Sequence, residues 1–203
     1  MMRPLLGLTL ITLLAGCSGS AHVKVEGDYA YPKALVAPFN TEVALVLDDK
    51  INNYIGTPNK DITIEMGQAQ QRMLTSLFSD LFQGIQVVES VDAVVSDKPI
   101  LVVAPTVQEV QTAIPSQTNL NIYEVWIKYR LDVTDSTGED IGSWFLPVYG
   151  KTPTAFLRSK EEALRQATIV ALRDAGAKFS LEFHRIPSIN AWMEKHHVER
   201  FAE

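Results

Sequence analysis

Few residue types in this 203-residue chain can do chemistry: four histidines, 24 carboxylates, scattered hydroxyls and a single cysteine. The histidines are His22, His184, His196 and His197, and neither a His-Glu-x-x-His pair nor a carboxylate at ligand spacing accompanies them, so no tight metal site is expected. Asp132, Asp135, Glu139 and Asp140 crowd one turn, but the Asp-x-Asp-x-Asp-Gly order of a calcium loop is absent and solvation is the simpler reading. Gly150-Lys151-Thr152 has the ending of a phosphate loop, yet Phe145 occupies the place of its first glycine; a turn leaving a strand is expected there. No Gly-x-Ser-x-Gly elbow is present, and no pair of carboxylates suited to sugar hydrolysis stands out. That leaves Cys17, which has no second cysteine to pair with and can act only as a solitary thiol.

The surroundings of Cys17 specify its chemistry. Arg3 supplies a positive charge, and Leu5 to Leu14 is an apolar run too short to persist as a span of a hydrocarbon core about 30 Å thick. The run ends in Leu14-Ala15-Gly16-Cys17, which resembles the bacterial lipobox. That resemblance implies a signal peptide over residues 1–16, a diacylglycerol thioether on Cys17 and cleavage that leaves Cys17 first. Two or three acyl chains, at about 0.8 kcal/mol per buried methylene, hold a protein on a membrane essentially permanently. Ser18 stands where an aspartate is the usual inner-membrane retention signal of such lipoproteins, so the resemblance implies the periplasmic face of the outer membrane.

The whole sequence is 46% apolar and carries a net charge of −6, which fits one soluble domain and removes the basic footprint that nucleic acid requires. Residues 17–31 read as the lipidated cysteine and a flexible tether of about 20 Å, and residues 32–203 as a single domain. Lys33 to Phe39 is a short apolar run bounded by prolines and is expected to be the leading strand of the body, with Thr41 to Leu47 extending it or forming another; Asp48 to Asp61, rich in turn formers, is expected to be a long surface loop. Met66, Ala69, Met73, Leu74, Leu77, Phe78 and Leu81 recur at helical spacing, with Gly84 placed as the C-cap, and their stripe is taken as core rather than as a ligand groove.

Strands are expected at Ile85 to Val88 and Pro99 to Val110. The clearest is Tyr123 to Val133, where Tyr123, Val125, Ile127, Tyr129, Leu131 and Val133 alternate with Glu124, Trp126, Lys128, Arg130 and Asp132. One face of that sheet must be open to water. Ile141 to Tyr149 returns as a hairpin partner, at an edge or bulged because of Pro147. A capping box at Ser159 to Glu162 starts a second helix with Leu164, Ala167, Thr168, Ala171, Leu172, Ala175 and Phe179 inward; Pro187 stops it, and Ile189, Trp192, Met193 and His196 mark a short last helix.

The expected fold is therefore α+β, a mostly antiparallel sheet with two main helices packed on one face and a short C-terminal helix. The order of Lys33 to Phe39, the helix Met66 to Phe82, the strand Gly84 to Val88, the strands to Tyr149 and the helix from Ser159, under the lipobox, resembles the YajG-like and TolB amino-terminal-like periplasmic lipoproteins. That resemblance implies a non-catalytic accessory or assembly factor that binds another envelope protein, with no cofactor. The surface expected to do so is Trp126, Lys128 and Arg130 on the charged strand face, with Tyr54 in the Asp48 to Asp61 loop. A periplasmic carrier of lipid or another hydrophobic ligand, and an envelope hydrolase, are the alternatives. Oligomeric state is left open by the sequence.

Overall fold

The computed structural model describes residues 19–26, 31, 33, 35–154 and 159–201. Leu14, Ala15, Gly16 and Cys17 lie outside them. The class is α+β, and the described residues run through eight strands and five α-helices: β1 Ala21–Lys24, β2 Phe39–Val46, α1 Asp49–Asn52, β3 Ile55–Asn59, β4 Ile62–Glu65, α2 Gly67–Leu81, β5 Phe82–Val88, β6 Leu101–Ala113, α3 Pro115–Thr118, β7 Ile122–Asp135, β8 Asp140–Pro153, α4 Lys160–Glu182 and α5 Pro187–Lys195. The main sheet has the order β5-β2-β6-β7-β8. Its long β6-β7-β8 meander is antiparallel, whereas β2 pairs parallel with both neighbours, because α2 carries the chain back across the sheet before β5. A smaller sheet, β1-β4-β3, lies against the same core.

Both helical stripes bury as their spacing requires. All seven apolar residues of the α2 stripe and all seven inward residues of α4 are buried. Phe78 of α2 meets Phe179 of α4 with ring centroids 4.7 Å apart, so the helices touch each other as well as the sheet. Leu172 is fully buried and Leu77 is 8% exposed. Leu172→Ala should cost about 3 kcal/mol and Leu77→Ala about 2, against a total of roughly 5–15 for a domain. Urea denaturation checks this, and wild-type midpoints for both variants would remove these side chains from the core.

One buried polar pair interrupts the apolar interior. Gln70, within the α2 stripe, donates to the Ile51 carbonyl at 2.5 Å and accepts from the Tyr129 hydroxyl at 3.0 Å. It thus ties α1, α2 and β7 together, and burial pushes the Tyr129 phenol well above its ordinary range.

Four expectations are corrected. The tether is not free over its whole length: Ala21, Val23 and Val25 are buried, and β1 pairs parallel with β4, so the fold begins within a few residues of Cys17. Two valines on one parity were the signal, and β4 supplied the partner. Asp48 to Asp61 is no long loop, because the Asp48 side chain caps α1 by accepting from Ile51 N–H at 2.9 Å and β3 follows at once. The strand expected over Lys33 to Phe39 starts only at Phe39 and runs to Val46, over the Thr41 to Leu47 stretch; Leu35 is 97% exposed. Gly84 is not a C-cap but a residue of β5 opposite Glu42, since α2 passes straight into strand at Phe82. In addition, Gly150-Lys151-Thr152 lies within β8, not in a turn.

Candidate functional site

The site is the face of β6-β7-β8 turned away from the helices. Alternation along β7 buries Val125, Ile127, Tyr129, Leu131 and Val133 and turns the other parity outward. The register then sets the rows across the sheet: Gln111–Trp126–Tyr149, Glu109–Lys128–Pro147 and Thr106–Arg130–Phe145. Trp126 is 37% exposed, and its ring packs on that of Tyr149 at 5.2 Å. Phe145 is 48% exposed, and the Lys128 ammonium stands 4.7 Å from its ring centroid. Arg130 is held by Asp132 at 2.8 Å, which fixes its guanidinium near the same ring row. The Tyr149 hydroxyl donates to Glu124, and that bond pushes the phenol up to about 12.

Elsewhere on this side the sheet is covered. Ala44, Val46, Ile100 and Val102, with Val88, Val94 and Ala104, form a second small core beneath the segment that links β5 to β6. The open area is thereby confined to the meander.

The neighbouring sheet edge is closed. On β8, Tyr149 N–H is accepted by the Asp174 carboxylate at 3.0 Å, and the Pro147 carbonyl accepts from the Lys178 ammonium at 2.7 Å. Asp174 and Lys178 pair with each other at 3.0 Å. Two side chains of α4 therefore occupy two of the backbone groups along the middle of this edge, and Pro147 offers no N–H.

The structure brings Trp126, Lys128 and Arg130 together, as their shared parity requires. Tyr54 is not with them: it packs beside Gly56 and Val110 on the helix side of the sheet, and burial pushes its phenol up. Its expected place on the partner surface is corrected for the same reason that the loop was, since β3 pulls it inward. Phe145, Pro147 and Tyr149 were missed. Their signal was present in the run Trp144-Phe145-Leu146-Pro147-Val148-Tyr149, apolar at both parities, so that whichever face was buried the other remained apolar.

The carboxylates of the β7–β8 turn are engaged by local structure. Asp135 is buried and accepts from Thr137 N–H, the Thr137 hydroxyl and Glu139 N–H. Burial alone would raise its carboxyl, but these donors hold it below the ordinary range. Asp140 accepts from Gly142 N–H, and Glu139 pairs with Lys195. Among the described residues no three His, Cys, Asp or Glu side chains gather as a metal site would need. A cleft of about 790 Å³ between Asn40–Glu42, Val95–Ile100 and His196–Val198 is lined mainly by polar groups. The cavity among Met73, Leu77, Tyr129 and Phe179 holds about 10 Å³, room for at most one water and not for an acyl chain.

No protein-family profile matches the sequence, and no curated protein aligns with it. Solved structures do. The chain is similar to a protein of Xanthomonas campestris, at 14% identity over 87% of this chain and 98% of that one with a TM-score of 0.46. It is similar to a neuraminyllactose-binding hemagglutinin homolog of Helicobacter pylori, at 13% identity over 85% and 100% with a TM-score of 0.48. It is also similar to the rare lipoprotein B of Shewanella oneidensis, at 13% identity over 75% and 99% with a TM-score of 0.42.

Proposed function

We propose that this chain is a bacterial lipoprotein, anchored through acylated Cys17 on the periplasmic face of the outer membrane, that binds another envelope protein and catalyses nothing itself. Leu14-Ala15-Gly16-Cys17 supports the anchor, and Ser18 supports the outer membrane. The observation that carries the binding role is the row structure of the open face. Three aromatic rings, Trp126, Phe145 and Tyr149, stand beside Lys128 and Arg130 on an otherwise acidic protein, next to an edge that α4 has sealed. Tryptophan, tyrosine and arginine are the residues that dominate binding hot spots, and a large aromatic flanked by held cations is preorganised to meet an acidic, partly apolar patch on a partner. The carrier alternative would need a cavity for an acyl chain, and the apolar cavity among Met73, Leu77, Tyr129 and Phe179 holds about 10 Å³.

A photo-crosslinking residue placed at Gln111, beside Trp126, tests this in whole cells. We expect one abundant adduct with an envelope protein, lost when Trp126→Ala and Arg130→Ala are combined, and no such adduct from a probe at Asp80 on the exposed side of α2. Equal adducts from both positions, or none from Gln111, would remove the open face as the binding surface. Lipid retained by the body after removal of its anchor would move the reading to the carrier.

A further inference from the structure

The contacts of Gly19 and Ala21 bear on how the domain stands on a membrane. Gly19 is pinned by its carbonyl, which accepts from the Lys160 ammonium at 2.6 Å, and Ala21 N–H donates to the Asp61 carbonyl at 2.7 Å. From Cys17 to Ala21 there are four residue steps, which reach at most about 14 Å, and to Gly19 only two, about 7 Å. An acylated Cys17 therefore cannot leave the end of the domain that carries Ser159–Lys160 and the Asn59–Asp61 turn.

The topology says what else is at that end. The contacts of Tyr149 with Asp174 and of Pro147 with Lys178, and the approach of Gly150 to Ala167 and Ala171, show that α4 runs antiparallel to β8. The start of α4 thus lies beyond the end of β8. Pro153 pairs with Ile122 at the start of β7, and Thr154 N–H donates to the Asn121 carbonyl, so α3 and the turn Asn119–Asn121 are at the same end. Leu120 projects there, 54% exposed. The opposite end, with the Asp135–Asp140 turn, is roughly 45 Å away along the 14 residues of β7.

We propose that this end, formed by Gly19, Lys60, Leu120 and Lys160, rests on the phospholipid headgroups, with β7 and β8 rising away from the bilayer and the open face turned sideways. The occupant is the lipid surface because the anchor's reach keeps the bilayer that holds the acyl chains within about 7 Å of Gly19 while Gly19 stays on Lys160. The proposal rests on the lipoprotein reading above. It adds that the partner meets the Trp126 row beside the membrane and within tens of ångströms of it, not at the far end of a long tether.

Acylation converts the only native thiol into a thioether, so Leu120→Cys and Glu139→Cys each supply one reactive thiol in the full lipidated protein. Each is labelled with an environment-sensitive fluorophore and reconstituted into vesicles of phosphatidylethanolamine and phosphatidylglycerol that contain a headgroup-linked quencher. Quenching at position 120 should exceed that at 139 several-fold, and a flexible Gly-Ser insertion between Ser18 and Gly19 should abolish the contrast. Equal quenching on protein whose amino-terminal peptide carries the acyl mass overturns the orientation alone. An unmodified Cys17 overturns the orientation and the anchor together.

Discussion

Gly150→Ala should lower the stability of this domain by about 3 kcal/mol, a fall in melting temperature of roughly 6–12 °C for a chain of this size. A Cβ at Gly150 would stand 1.9 Å from the Ala167 carbonyl oxygen and 2.4 Å from Ala171 N, both backbone atoms of α4. Neither can swing aside as a side chain does. The helix would have to lift off β8, and it carries Leu164, Thr168, Leu172 and Phe179 with it, all of them buried. Ala167, Ala171 and Ala175 on α4 stand in the same relation: small side chains on the helix and no side chain at Gly150 on the strand let the two backbones approach. Gly176→Ala is the control, because nothing lies within 4 Å of the added methyl. There the substitution removes only helix-disfavouring freedom and should raise stability by about 0.5–1 kcal/mol. The same chemical change is thus expected to have opposite signs 26 residues apart. Calorimetry on the two variants checks it, and a Gly150→Ala variant that melts with the wild type would mean that α4 does not pack as closely as described.

Cys17→Ala should move the protein from the membrane fraction to the soluble fraction essentially completely. One acyl chain binds a bilayer only marginally, and two or three hold a protein on it permanently, so the transition is close to all-or-none. Among the described residues no helix is long and apolar enough to cross a membrane. The folded body should be unaffected, since the nearest described contact is the Lys160 bond to the Gly19 carbonyl. Fractionation of cells that carry either form, with mass spectrometry of the amino-terminal peptide, decides it. A Cys17→Ala protein that still sediments with membranes would show that something other than acylation holds it there.

Local pattern determined much of this protein because local pattern reports burial. The seven-residue stripes of α2 and α4, the alternation of Tyr123 to Val133 and the Ser159 cap, whose hydroxyl accepts from Glu162 N–H at 3.1 Å, all express a period that only one element satisfies. Trp126, Lys128 and Arg130 were legible as one surface for the same reason: three residues of equal parity on a strand must share a face. Half of the cap was not legible. Glu162 turns to Arg165 at 2.5 Å in place of reaching back to Ser159, because a charged partner one turn on outcompetes a backbone amide.

What the sequence left to the tertiary structure was every feature that depends on which strand lies beside which. Ala21–Lys24 and Ile55–Asn59 are too short to announce themselves and become strands only because β4 stands between them. The pairing of Trp126 with Tyr149 and of Arg130 with Phe145 needs the register of β7 on β8, which a hairpin of this length does not reveal. The closing of the β8 edge by Asp174 and Lys178 needs α4 to run antiparallel over that strand. Parity along one chain settled which side chains face outward, and the packing of separate segments decided which of them meet. The physical reason is that periodicity is a property of a single element, whereas register, edge and reach arise only where two elements touch.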